Sequence, residues 1–228
     1  MVLSTVKPSV DVQGLKEVWA TLQKDSCPYH YNFHMHTICS DGQLSPVDLM
    51  EQAVKIGLKG MAITDHHSVK GYQIAQTWLD EKHQLGSDAR LPHLWTGVEV
   101  TSDLFGTEVH LLGYGFSLEH PAMTRYLQGE RPKANDAYAV NVIHAIHQAG
   151  GLVVLAHPSR YHCSAERLIP AAARLGIDGI EAFYAYGNPK PWTTSIKETE
   201  KALQLSESYQ LFNTCGTDTH GKSLLQRI

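Results

Sequence analysis

His34 and His36 lie two residues apart in the apolar run YNFHMHT (31–37), and the acidic turn Ser40-Asp41-Gly42 follows at once. In a strand, residues i and i+2 point to the same face, so the two imidazoles share one side. Two neutral imidazoles on one face make half a metal site, and the missing donors must come from elsewhere in the chain. Candidates stand at the ends of other apolar runs. Asp65 and His66 close GMAITDH (60–66), Glu99 lies late in LWTGVEVT (94–101), His157 closes GLVVLAH (151–157), and Asp218 and His220 close LFNTCGTDTH (211–220). His110 breaks the pattern by starting its run, VHLLGYGF (109–116). Imidazole mixed with carboxylate suits Mn²⁺, Fe²⁺ or Zn²⁺ better than Ca²⁺, which prefers oxygen alone.

To position these residues the chain needs strands that end together. With GIEAFY (179–184) there are seven apolar runs of strand length. The stretches after runs one, two, four, five and six are long enough for a helix, an alternation that predicts an α/β fold with a mostly parallel sheet closed into a barrel. A doubly wound open sheet is the alternative. Ser45-Pro46-Val47-Asp48 reads as a helix start, Leu49, Ala53 and Ile56 keep one face apolar, and Gly57 closes the helix; Ser164 opens another that ends near Gly176. The segment 102–108, with Asp103 and Gly106, reads as a hairpin turn. An antiparallel return there sets the start of run four beside the end of run three, which brings His110 to Glu99 on the rim where the parallel strands end. Asp41 follows strand one and can turn back over that rim. That rim is where barrel folds carry their chemistry. His30, His83, His93, His120, His144, His147 and His162 fall away from this pattern and read as surface or core residues, while His67 stays open between solvent and substrate.

A length of 228 residues fits one large domain, read as 31–228, preceded by a helical extension at 1–30 that carries LKEVWATLQK. With 43% hydrophobic and 18% charged residues the chain has material for a sizeable core. A net charge of -4 offers no footprint for wrapping duplex DNA or lying on an anionic membrane. Cys27, Cys39, Cys163 and Cys215 are far apart without a C-x-x-C, so free thiols in a reducing compartment are expected. MVLSTVKPSVDV lacks the apolar stretch of a signal peptide and no window approaches a membrane span, so a cytoplasmic location is expected.

The ordered pieces FHMHT, SDG, ITDH, GVEV, VHLLGY, LAHPSRY and GTDTHG resemble the PHP (polymerase and histidinol phosphatase) superfamily of metal-dependent phosphoesterases, from Tyr31 to Gly221. The resemblance implies a distorted seven-stranded (β/α) barrel and two or three divalent ions, of Mn, Fe or Zn. It implies that His34, His36, Glu99 and Asp218 hold one ion, that Glu99 bridges to a second held with His110 and His157, and that Asp41, His66 and His220 hold a third. It further implies that Arg160 contacts phosphate and that Asp65 and Glu181 orient ligands from behind. Three ions roughly balance three carboxylates, a hydroxide and a phosphate monoester, whereas two would leave about two negative charges.

The SDGxLSP spacing, GVEV and AHPxRY are closest to the branch acting on nucleotides and short RNA ends, but the stretch 117–150 is too short for that branch's long helical insertion. The expected reaction is hydrolysis of a phosphate monoester, of a mononucleotide, a 3',5'-bisphosphate or a short RNA 5' end. A hydroxide generated at the ions attacks phosphorus, and His220, His67 or a bound water protonates the leaving oxygen. Tyr161 and Lys190 are candidates to line the substrate pocket. Rival readings are a histidinol-phosphate or phosphoprotein phosphatase, an amidohydrolase, and a metal-binding accessory domain without activity.

Overall fold

A computed structural model describes residues 11–86 and 90–228; the reading of the extreme N-terminus lies mostly outside them. Helix α1 (Val12–Trp19) starts where Asp11 accepts a hydrogen bond from Gly14 N at 2.8 Å, upstream of the expected stretch. It is not a free extension. Leu15 and Trp19 are buried, and the Trp19 ring meets Tyr114 edge-on at 5.3 Å and Phe33 at 6.2 Å.

Strands β1 (Tyr31–Asn32), β2 (Gly60–Ala62) and β3 (His93–Trp95) form a parallel sheet. Strands β4 (Gly97–Leu104), β5 (Thr107–Tyr114), β6 (Leu152–Leu155), β7 (Gly179–Phe183) and β8 (Phe212–Cys215) form a second, in which β5 runs against both neighbours and the others are parallel. The run expected as one strand at 94–101 is therefore two. The chain leaves the first sheet at Thr96 and joins the second, so β3 and β4 are two lengths of one stave. The hairpin turn is also tighter than expected, only Phe105 and Gly106, both at positive φ (52° and 81°), as a two-residue antiparallel connection requires.

Single contacts close the two sheets into a distorted barrel. Met35 bridges Thr219 and His66 bridges Glu99, both in parallel sense. Phe33 N donates to Cys215 O at 3.0 Å, Asp218 N to His34 O at 2.8 Å, and His67 N to Glu99 O at 2.9 Å. Regular pairing in β1 and β2 is shorter than the apolar runs because side chains interrupt the ladder: Met35 N donates to Thr64 Oγ1 at 3.2 Å.

Helix α2 (Pro46–Ile56) begins as expected, with Ser45 Oγ accepting from Asp48 N at 3.1 Å, and ends at Gly57. Helices α3 (Lys70–Gln84), α4 (Ala139–Gln148), α5 (Ala165–Arg174) and α6 (Ile196–Tyr209) fill the other intervals, with two short 3₁₀ turns, Pro121–Tyr126 and Ala134–Ala137, before α4. Apolar residues pack in two layers outside the barrel and one inside its lower half, where Phe33, Trp95, Leu112, Tyr114 and Val154 meet α1. All four cysteines are free. Among the described residues no helix is long and apolar enough to cross a membrane.

Candidate metal centre

Above the apolar floor the barrel interior turns polar, and Glu99 of β4 is its hub. Only 1% exposed, its Oε2 lies 3.0 Å from His36 Nε2, 3.1 Å from His34 Nε2 and 3.6 Å from His66 Nε2. Its Oε1 lies 2.7 Å from His110 Nδ1 and 3.6 Å from His157 Nε2. The hairpin of β4 and β5 thus delivers His110 to Glu99. Asp218 Oδ1 lies 3.2 Å from His36 Nε2 and 3.4 Å from His34 Nε2. Asp41, half exposed, turns back over the rim to stand 3.3 Å from His220 Nε2 and 3.6 Å from His66 Nε2.

Among the described residues three groups of donor atoms fall within 4.8 Å of one another: His34, His36, Glu99 and Asp218; His36, Asp41, His66 and His220; and His66, Glu99 and His110. The first is the expected set, the second is the expected set with His36 added, and in the third His66 stands where His157 was expected. His157 nevertheless reaches Glu99 from the other side.

Backbone distortion helps the side chains converge. Val154 and Ala156 face the lower interior and Val153 and Leu155 the outer layer, so alternation would point His157 outward. A φ of 26° turns it inward, its ring 5.4 Å from that of His110. Asp218 and His67 are likewise at φ 52°. Such strain concentrates where a site is built. Gly216 is required for a different reason, since a Cβ there would lie 2.2 Å from His34 Cβ.

The donor set fits divalent cations. Both ring nitrogens of His36 and of His157 are buried without a hydrogen-bond partner. His36 Nε2 is close to Glu99 Oε2 in distance, but the angles are not those of a hydrogen bond. Orphaned buried donors and acceptors are costly, and a cation between nitrogen and oxygen lone pairs removes the cost. Electrostatics agree. Burial opposes protonation of His34 and His36, yet the surrounding carboxylates outweigh it, raising His34 well above its usual value and His36 to about 9. Burial pushes the other way on Glu99 and Asp218, but the imidazoles hold both well below the usual carboxylate range. His66 and His67 are lowered to about 4 and His157 is lowered too, in each case mainly by burial. Without ions, protons on the innermost imidazoles supply the positive charge that the carboxylates demand.

Glu181 stands behind this cluster: Oε1 accepts from His34 Nδ1 at 3.0 Å and Oε2 from His157 N at 2.9 Å. The first bond fixes Nδ1 as the donor, so the ion-free, protonated ring donates from Nε2 to Glu99 Oε2 at 3.1 Å, and the neutral ring would offer that Nε2 lone pair to a cation. Asp65 corrects its expectation. It orients no imidazole but accepts from Thr37 N (2.7 Å), Thr37 Oγ1 (2.8 Å) and Ser40 Oγ (2.7 Å), fastening the loop that carries Asp41.

Arg160 Nη1 donates to Asp218 Oδ2 at 2.9 Å, with its side chain 41% exposed. It borders a cavity of about 520 Å³ that opens beside His110 and His157 and is also lined by Thr107, Glu108 and His162. Tyr161 also lines it. Its hydroxyl accepts from His110 N (2.8 Å) and donates to Ala156 O (3.2 Å), so it is not free for substrate. Lys190 is exposed on the loop after β7. His67 is buried, with Nδ1 unpartnered and its carbonyl accepting from Gly129 N at 2.8 Å.

Sequence reasoning missed three residues. His162 lines the cavity. Tyr184 Oη and Arg227 Nε each donate to Asp218 Oδ2 at 2.7 Å. Tyr184 follows an irregularity in the β7 register between Glu181 and Phe183, so parity could not place it, and nothing local marks Arg227.

The PHP domain model matches residues 32–157. The 5'-3' exoribonuclease Rnm of Salmonella typhimurium is 30% identical, covering 83% of this chain and 85% of the relative. That alignment runs over 261 positions, more than the 228 residues of this chain, so the relative has segments without a counterpart here. A 5'-3' exoribonuclease of Haemophilus influenzae is 30% identical over 58% of this chain, and the match spans 49% of that relative. Among solved structures, a metal-dependent phosphoesterase from Bifidobacterium adolescentis superposes with TM-score 0.68 at 23% identity, covering 86% of this chain and 89% of that one. With its distorted barrel and a rim of imidazoles and carboxylates, the chain belongs to the PHP domain family of metal-dependent phosphoesterases.

Proposed function

We propose that this protein hydrolyses phosphoesters of nucleotides or of short RNA 5' ends, with two or three divalent ions of Mn, Fe or Zn. His34, His36, Asp41, His66, Glu99, His110, His157, Asp218 and His220 hold them. The observation that carries this reading is the pair of buried, unpartnered imidazoles, His36 and His157, facing Glu99 beside a cavity bordered by Arg160. The exoribonuclease names of two relatives support nucleotide chemistry and extend it to phosphodiesters at the 5' end.

Bound divalent ions lower the pKa of a water and offset charge on the phosphate oxygens. The chain's own part is to orient and bind. Arg160 is placed to take a phosphate entering through the cavity. His220 Nδ1 lies 2.8 Å from the Asp218 carbonyl, which can only accept, so Nε2 keeps its lone pair toward Asp41. That tautomer makes His220 a ligand rather than the proton donor, and His67, lowered to about 4 by burial, is neutral near pH 7, so water is left to protonate the leaving oxygen. Free cysteines support a reducing, cytoplasmic setting.

The test is turnover after chelation and Mn²⁺ restoration against 5'-mononucleotides, 3',5'-bisphosphates, 5'-phosphorylated oligoribonucleotides, histidinol phosphate and a phosphopeptide. Hydrolysis confined to the first three is expected. Turnover of histidinol phosphate or phosphopeptide alone would overturn the substrate class, and metal uptake without any hydrolysis would make this an accessory domain.

A further inference from the structure

The two oxygens of Asp218 face different surroundings. Oδ1 looks into the cluster, 3.2 Å from His36 Nε2 and 3.4 Å from His34 Nε2. Oδ2 looks away and accepts three hydrogen bonds, from Tyr184 Oη at 2.7 Å, Arg227 Nε at 2.7 Å and Arg160 Nη1 at 2.9 Å. A carboxylate oxygen offers about two lone-pair directions, so one of the three donors is in excess.

Exposure identifies the donor in excess. Tyr184 is 2% exposed and the Arg227 side chain 16%, whereas that of Arg160 is 41% exposed and borders the cavity. Arg227 is also held by its own brace. Its carbonyl accepts from His220 N and Gly221 N, and Gln226 O accepts from Thr219 Oγ1. Leu224 is fully buried in the cluster that contains Leu49 and Met50 of α2. Gln52 of the same helix accepts from Leu224 N at 3.1 Å and donates to Lys222 O at 3.0 Å.

We propose that Arg227 and Tyr184 are a positioning pair that holds Asp218 with Oδ1 turned to the ion position, while Arg160 rests on Oδ2 and transfers to the substrate phosphate. The segment after His220 is then part of the site. Two cations on one carboxylate oxygen make the transfer inexpensive, because when Arg160 leaves, Arg227 still compensates the charge. This rests on reading the cluster as a metal centre.

The experiment is calorimetric titration of chelated full-length protein with Mn²⁺, alongside inhibition by inorganic phosphate. Arg227→Gln and Tyr184→Phe are expected to weaken Mn²⁺ binding about 10- to 100-fold, with Arg227→Lys recovering part of the loss. Arg160→Gln should leave Mn²⁺ affinity within about twofold and weaken phosphate inhibition about tenfold or more. Wild-type Mn²⁺ affinity in both Arg227→Gln and Tyr184→Phe would overturn the proposal, as would equal Mn²⁺ loss in Arg160→Gln. If Arg227→Gln does not fold, Tyr184→Phe, which removes one hydroxyl, decides alone. A wild-type protein that takes up no Mn²⁺ would instead sink the metal-centre reading, and the wild-type titration separates the two failures.

Discussion

The lower and upper halves of one barrel interior are built on opposite rules. Below, Leu15, Trp19, Phe33 and Tyr114 interlock with no charge among them, and the neighbouring strands pair in regular registers. Above, His34, His36, Glu99 and Asp218 are just as buried, the sheets are joined by single bridges, and His67, His157 and Asp218 carry strained backbone. Burying these ionisable groups costs stability unless they are paired. The floor and outer layers supply the rigidity that lets the rim keep its polar groups in place, ready for cations.

The sharpest way to break this comparison is at the hub. Glu99→Gln is expected to weaken metal binding about a hundredfold or more and abolish phosphoester turnover, with the fold kept; atomic absorption and far-UV circular dichroism read the two separately. Trp19→Ala is the reverse case. It should cost about 3–5 kcal/mol in urea unfolding while the folded fraction keeps its metal content, because the loss is confined to the floor.

Metal removal sharpens the contrast next. At a free Mn²⁺ concentration 100 times its dissociation constant, each site should add about 2.7 kcal/mol, so chelation should lower the melting temperature of the wild type more than that of Glu99→Gln, which keeps the group of His36, Asp41, His66 and His220. In the chelated protein the sign with pH is opposite to that of metal binding. His36 is raised to about 9, so its proton stabilises the ion-free fold fully below the ordinary histidine value and less as pH rises through about 9. The melting temperature in chelator should therefore fall between pH 6.5 and 9, whereas Mn²⁺ affinity should rise over the same range as protons cease to compete. The smallest effect belongs to neither half. Ser45→Ala removes the α2 cap and should cost about 1 kcal/mol with metal content unchanged.

Much of this was legible in the chain before any folding. Alternation put His34 and His36 on one face, and both reach Glu99 Oε2. The acidic and imidazole residues at strand ends marked the rim, and the hairpin explained His110. These depend on local periodicity and turn chemistry, which neighbouring residues specify. The alternation of strands and helices already pointed to a barrel, and the family resemblance extended the reading to a phosphoesterase.

Tertiary structure alone decided which partner each donor meets. Asp65 looked like a support for an imidazole, but the stretch after β2 presents it to Thr37 and Ser40 of the loop. Tyr161 looked available to substrate, but its hydroxyl ties β5 to Ala156, just after β6. His157 turns inward only through a φ that breaks strand parity, Tyr184 arrives past a register irregularity, and Arg227 reaches Asp218 because Leu224 and Gln52 pin a distant segment. The sequence by itself determined which residue types line the rim, through spacing along single strands. Which oxygen faces which nitrogen is set by closure of the sheets and by packing between elements far apart in the chain, and no local pattern encodes that.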